Sequence, residues 1–281
     1  MTRSFTPAPN ILESVELEFS NWSTPRILAG SNRERVETMN DMNELEGLVA
    51  RDVDHDCEGV GPMKVCVRVM GVADLPTRFG HFRIVAFWNN RDEKEHVAIV
   101  HGDILGAENV PTRLHSECLT GDAIGSLRCD CRDQLEEGLM KISAYERGLL
   151  LYLRQEGRGI GLINKVRAYA LQDRGLDTVE ANLALGFRDD ERDYAIAAHM
   201  IASLNVRSIE LMTNNPRKME QLAQHGIKVS RRLPHVLPPN PYNRFYLETK
   251  RDRSGHWIDF SGKLHLLEQD DPVLVEGMKG D

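Results

Sequence analysis

An α/β domain is predicted, a mixed sheet with flanking helices preceded by a β-rich segment, and three observations carry the prediction. Short apolar runs with strand-like patterning recur between residues 65 and 100. Beyond residue 148, buried-strand runs alternate with stretches of helical period, the ordering of an α/β chain. Helix punctuation also falls where that alternation needs it, as in Asn215-Pro216 and Gly226.

Residues 1–66 come first and carry little pattern. Glu34, Glu37, Asp41, Glu44, Glu46, Asp52, Asp54, Asp56 and Glu58 make a loosely acidic stretch, expected to be a solvated helix-and-loop extension. Val65 to Val69 alternates as a strand does. Phe82 to Phe87 follows the breakers Pro76 and Gly80, and His96 to Val100 reads as a third strand. Gly148 to Leu153 is an apolar run suited to a buried strand, ending in the loop from Arg154 to Gly159. A helix is expected from about Ile163 to Asp173, with Gly175 near its end. Asp190 is expected to open another, with Tyr194, Ala197, Ala198, Ile201 and Leu204 at helical spacing. Ser208 to Met212 reads as a strand, then a helix from Pro216 to about His225 closed by Gly226. Beyond Arg251 the chain is polar and turn-rich, briefly apolar from Trp257 to Phe260. The expected division is an extension over 1–66, a catalytic domain over 67–250 and a polar tail over 251–281.

At 281 residues, 41% hydrophobic, the chain has ample material for a sizeable core. Its net charge of −8 argues against non-specific nucleic-acid binding. It leaves room for an anionic small molecule, because phosphate recognition needs only a local group of cations and N–H donors. Neither a signal peptide nor a membrane-length apolar run is visible, so a cytoplasmic location without membrane partners is expected. In such a reducing compartment, clustered cysteines point to metal more than to disulfides.

Cys118, Cys129 and Cys131 make that cluster, spaced C-x10-C-x-C. Thiolates suit zinc, and three of them leave one tetrahedral position open for catalysis. A structural site with His115 as fourth ligand, or three core cysteines, remain alternatives. His115-Ser116-Glu117 matches half of the zinc deaminase signature, but the other half, P-C-x-x-C, is missing. Zinc with three thiolates carries a formal charge of −1, so its water needs a nearby general base, with Asp190 and Glu117 as candidates.

A second constellation suits phosphate. Thr213-Asn-Asn-Pro-Arg-Lys218 joins a strand to a helix, with Asn215 as N-cap, Pro216 at the first position and Lys218 adding charge. In the loop after Leu153, glycines permit close backbone approach, Arg154 and Arg158 can clamp phosphate oxygens, and Glu156 can accept from an exocyclic amine. A plain capped helix and an ordinary Gly-rich loop are the bland alternatives. Asp190 is equally readable as a helix cap and Tyr169 as a core residue.

Taken in order, these blocks resemble the GTP cyclohydrolase II family from about Leu75 to Lys250. The resemblance runs through Arg113-Leu-His-Ser-Glu-Cys118, Ser126-Leu-Arg-Cys129-Asp-Cys131, Arg154-Gln-Glu-Gly-Arg158, Asn164 to Asp173, Asp177 to Asn182, Asp190-Glu-Arg192 and Thr213 to Lys218. It implies Zn²⁺ on Cys118, Cys129 and Cys131, and Mg²⁺ with the triphosphate of GTP. It implies GTP-binding roles for Arg113, Glu117, Gln134, Glu156, Arg158, Thr178, Thr213 and Lys218. Asp190 corresponds to the proton acceptor, Arg192 to the residue assigned as nucleophile, and Tyr169 to an active-site tyrosine. A homodimer is implied, as is opening of the guanine imidazole ring with loss of formate and pyrophosphate. The chain departs from the family pattern at Arg132-Asp133, where small or apolar residues are common. Its first 65 or so residues lack the acidic motifs of the dihydroxybutanone phosphate synthase often fused there, so a monofunctional enzyme is expected.

Overall fold

The computed structural model describes residues 44–49 and 65–258, all within one compact unit spanning Asn40–Asp281. The rest of the expected extension and the tail beyond residue 258 lie outside the described residues. Seven strands form one sheet: β1 (Val67–Thr77), β2 (Gly80–Asn89), β3 (His96–His101), β4 (Val110–Ser116), β5 (Gly148–Leu153), β6 (Ile209–Met212) and β7 (Val229–Leu233). Their order is β1-β2-β3-β5-β4-β6-β7. The β1, β2, β3, β5 side is antiparallel, whereas β5, β4, β6 and β7 run parallel. The sheet is therefore mixed, as expected.

Helices α1 (44–49), α2 (Cys131–Ala144), α3 (Gly161–Gln172), α4 (Thr178–Ala184), α5 (Ala195–Ser203), α6 (Pro216–Gln224) and α7 (Arg244–Ser254) accompany it. None of the described helices is long and apolar enough to cross a membrane. Because both faces of β5 are covered, its sequence is continuously apolar rather than alternating. Leu149, Leu151 and Leu153 pack with Ala197, Met200 and Ile201 of α5, while Leu150 joins Ile142 of α2 and Phe82 on the other side. Gly148 permits that second contact, since a Cβ there would lie 2.8 Å from Ile142 Cγ2.

Several elements differ from expectation for identifiable reasons. Strand β1 runs through Pro76, which an edge strand tolerates because the missing N–H has no ladder partner to lose. The helix expected from Asp190 starts at Ala195, whose N–H is accepted by the Asp193 side chain at 2.7 Å. Asp190 is instead paired with Arg192. In α1, Leu45 is buried in the main core, so that part of the acidic stretch is packed rather than a solvated appendage. Helix α7 crosses residue 250, where composition placed the start of a tail.

Strand β4 lies inside the parallel part of the sheet, between β5 and β6. From it the chain passes through α2 to β5 on one side, and later returns to β6 on the other. Such a switch point opens a crevice at the carboxyl ends of the strands, here marked by Ser116, Leu153 and Met212.

Candidate active site

The three cysteines converge at that crevice. Cys118 follows β4 and caps a single wide helical turn, Leu119–Ala123; Cys129 lies in the next loop, and Cys131 begins α2. Their sulfurs all lie within 4.8 Å of one another, with Cys118 and Cys129 3.6 Å apart. Three thiolates on a tetrahedral ion at about 2.3 Å would stand roughly 3.8 Å apart, so the donor set and spacing fit zinc. Gly121 leaves the space open: a Cβ there would lie 2.8 Å from Cys129 Sγ and 3.1 Å from Cys118 Sγ. His115 is not part of the cluster. Its Nε2 faces Asp122 at 3.1 Å, and Asp122 also accepts from Tyr152 and from the Cys118 amide.

A buried ion pair supports the cluster from below, and sequence reasoning missed half of it. Lys165 of α3 donates to Cys118 Sγ at 3.1 Å and to Glu156 Oε1 at 2.7 Å. Glu156 accepts from the Gly157 amide through Oε1 and from the Leu119 amide through Oε2. The carboxylate thus ties the turn holding Cys118 to the loop after β5. Partners of this kind orient metal ligands and tune their basicity. Lys165→Met is expected to weaken zinc affinity by about 10- to 100-fold, measured by competition with a chromophoric chelator. Unchanged affinity would exclude this supporting role.

The other half of the crevice is cationic. Arg113 of β4 is buried, donating to the Met212 carbonyl at 2.8 Å and to Gln134 Oε1 at 2.5 Å. Burial lowers its pKa to about 10, against the opposing charge of Asp130. Lys218 is also buried, donating to the Leu114 carbonyl at 2.7 Å; burial and the charges of Arg113 and Arg192 hold its pKa well below the usual range. Thr213 Oγ1 accepts from the Asn215 amide, and Asn215 caps α6 with Pro216 at its first turn, as the sequence indicated. Arg158 stands in the left-handed region at φ 59°, paired with Asp189 at 2.6 Å.

Asp190 and Arg192 face each other through two hydrogen bonds, Nε to Oδ1 at 2.8 Å and Nη2 to Oδ2 at 2.6 Å. Burial raises the carboxyl pKa, but the Arg192 bonds and charge outweigh it and hold the value at about 2. The same pair keeps the guanidinium firmly protonated despite burial. Tyr169 lies beside the cluster, its hydroxyl 3.4 Å from Thr120 Oγ1 and its ring under the Arg128 guanidinium. Burial pushes its phenol up to about 12, so it stays protonated at neutral pH.

Two lobes share this crevice. Glu117, Glu156, Tyr169 and Thr178 line the lobe containing the sulfurs. Arg113, Gln134, Thr213 and Lys218 line the other, and Arg158, Arg192 and Cys131 border both. All the sequence-derived site residues therefore meet in one place, with Asp190 reaching it through Arg192. Sequence reasoning did not foresee Lys165, Asp130 or the α7 residues Tyr246 and Lys250, which also line the crevice or bond its walls. Lys165 is detectable in hindsight as the residue one helical turn before Tyr169.

Fold and site together define an α/β protein with a three-thiolate cluster beside a cation-lined lobe. The model of the family described as GTP cyclohydrolase II matches residues 67–234. Curated relatives, each called GTP cyclohydrolase-2, include one from Picrophilus torridus, 58% identical over 184 residues covering 66% of this chain and 95% of the relative. Another, from Proteus mirabilis, is 55% identical over 192 residues, covering 68% of this chain and 96% of the relative. A third, from Histophilus somni, is 52% identical over 201 residues, covering 72% and 93%. Among solved structures, a two-domain 3,4-dihydroxy-2-butanone 4-phosphate synthase from A. baumannii aligns over 72% of this chain and 48% of its own. Its TM-score of 0.34 and 14% identity make that likeness too slight to argue from. The chain belongs to the GTP cyclohydrolase II family.

Proposed function

We propose that the enzyme hydrolyses GTP, opening the guanine imidazole ring at C8 and releasing formate and pyrophosphate. The product would be 2,5-diamino-6-ribosylamino-4(3H)-pyrimidinone 5′-phosphate, a riboflavin precursor. One observation carries the reading: a thiolate cluster suited to zinc and a cation-lined lobe open into one crevice. Zinc held by Cys118, Cys129 and Cys131 would supply a Lewis acid that polarises water, with a general base beside it completing the activation. Mg²⁺ would accompany the triphosphate.

The chain's own residues divide the remaining work. Glu117, Glu156 and Thr178 take the nucleoside end of GTP, in the sulfur-containing lobe. Arg113, Gln134, Arg158, Thr213 and Lys218 take the phosphates, where buried cations act at low dielectric. Tyr169, held protonated, donates its phenolic hydrogen toward oxygen developing at C8. Arg192 clamps the α-phosphate as a cation. As a phosphate draws the guanidinium away, Asp190 loses the partner that depresses its pKa and becomes a stronger base. Exposed apolar side chains at Leu162, Ile163 and Val166 of α3 support a homodimer through that helix.

The test is turnover of GTP by zinc-loaded protein, with formate and pyrophosphate assayed separately and the products weighed by mass spectrometry. Both are expected, abolished by a strong chelator and restored by zinc, with the protein dimeric in light scattering. A product retaining the formyl carbon would identify a family variant that stops at the formamide. GTP binding without either release would leave a non-catalytic GTP-binding protein.

A further inference from the structure

Helix α7 and the loop behind it lie past residue 234, where the family match ends, yet they wall the cationic lobe. Lys250 points inward with its side chain 12% exposed, 3.3 Å from Asp130 Oδ1 and 4.2 Å from the Tyr246 ring centre. Asp130 stands between the metal-type ligands Cys129 and Cys131 and also accepts from Gln134. His256 lines the same lobe. Burial, with the charges of Lys250, Arg158, Arg192 and Lys218, depresses its pKa to about 2 and leaves it neutral.

Among the described residues, Arg113, Arg158, Arg192, Lys218 and Lys250 line this lobe, and no carboxylate does. Asp130, Asp189 and Asp190 pair three of those cations from behind, leaving a concentration of positive charge that a multiply charged anion would balance. Polar bonds tie down the end of α7. Arg253 bonds Asp177 at 2.9 Å, Ser254 bonds Asp189 at 3.0 Å, and the Trp257 amide donates to the Asn214 carbonyl at 2.9 Å. Asp189 is the carboxylate that holds Arg158, so the end of α7 bears on two walls of the lobe at once.

We infer that Lys250 and His256 are binding residues for the polyphosphate of the substrate, placing the C-terminal helix inside the active site. The inference rests on the GTP reading. The Lys250 ammonium takes a phosphate oxygen in addition to Asp130, and the neutral imidazole donates its ring N–H to another.

The test uses full-length, zinc-loaded protein and calorimetry with two probes: inorganic tripolyphosphate supplied as its Mg²⁺ complex, and guanosine. Lys250→Met is expected to weaken tripolyphosphate binding by about 10-fold or more, the usual size of a lost hydrogen bond to a charged group. Guanosine affinity should stay within about twofold, with zinc content unchanged. Lys250→Arg should recover much of the loss, and His256→Ala should show a smaller loss with the same selectivity. Tripolyphosphate affinity unchanged in Lys250→Met overturns the inference. So does a parallel loss of both probes or of zinc, which would mark Lys250 as a support for Asp130 and the cluster. If wild-type protein binds tripolyphosphate in a Lys250-dependent way but ignores guanosine, the GTP reading fails while the polyphosphate site stands.

Discussion

Cys129→Ser is expected to lose both stoichiometric zinc and formate release, with turnover of GTP falling by roughly 10³-fold or more. The size follows from what the ion supplies: a Lewis acid that makes bound water easier to ionise than bulk water and that no side chain can imitate. A serine hydroxyl is a hard donor that stays protonated at neutral pH, and two remaining thiolates make a poor zinc site. Cys129 lies 3.6 Å from Cys118 and faces the space kept open by Gly121, and among the described residues no further His, Cys, Asp or Glu joins the cluster. The loss should be local. Leu149 and Leu151 pack with α5 in the main core, of which the three cysteines are not part, so thermal unfolding is expected to remain cooperative, with a midpoint close to that of metal-free wild type. Metal content by mass spectrometry and formate by enzymatic assay decide the matter; a variant retaining both would end the catalytic-metal assignment.

What the sequence made legible is what short-range physics writes plainly. Strand β5 was readable because burial on both faces demands an unbroken apolar run, and α6 because its cap uses adjacent residues, Asn215 and Pro216. Strand β4, flanked by β5 and β6, is not readable as a strand. Arg113 and His115 interrupt its apolar pattern, and their partners, Gln134 and Asp122, become apparent only once the chain is folded. Helix α4 carried a capping box, Asp177 with Glu180, but only seven residues, too few to show a period. Helix α7 reads as polar surface, since its inward Lys250 meets a carboxylate 120 positions earlier. In the site, the three cysteines and the turn from Thr213 to Lys218 stand out as local motifs, whereas Arg113, Gln134, Thr178 and Arg192 enter only through the family resemblance. Lys165, Asp130 and Lys250 act through pairings across the fold, which periodicity does not encode.

Arg192→Lys tests the chemistry most directly, with kcat for GTP expected to fall by about 10²- to 10³-fold, the size of losing an aimed donor to developing charge. The family resemblance assigns Arg192 as a nucleophile. Its surroundings argue for a different role. All three guanidinium nitrogens are placed, Nε and Nη2 on Asp190 and Nη1 3.4 Å from Ser116 Oγ, and the pair with Asp190 keeps the group protonated. A protonated, delocalised guanidinium has no free electron pair with which to attack phosphorus, but its planar fork is suited to grip phosphate oxygens. Lysine retains the charge and loses the fork, so the variant should still bind GTP while failing to hold the α-phosphate in line. It should also leave Asp190 of the free enzyme with a single-point partner, raising the carboxyl pKa from about 2 toward the ordinary aspartate range and shifting the acid limb of kcat/KM upward in pH. Acid lability makes the competing idea testable, because a phosphoramidate on Arg192 survives an alkaline quench and is lost in acid. Phosphorus NMR of wild-type enzyme quenched in base during turnover is expected to show no such adduct; its appearance on Arg192 would restore the covalent role and remove the clamp.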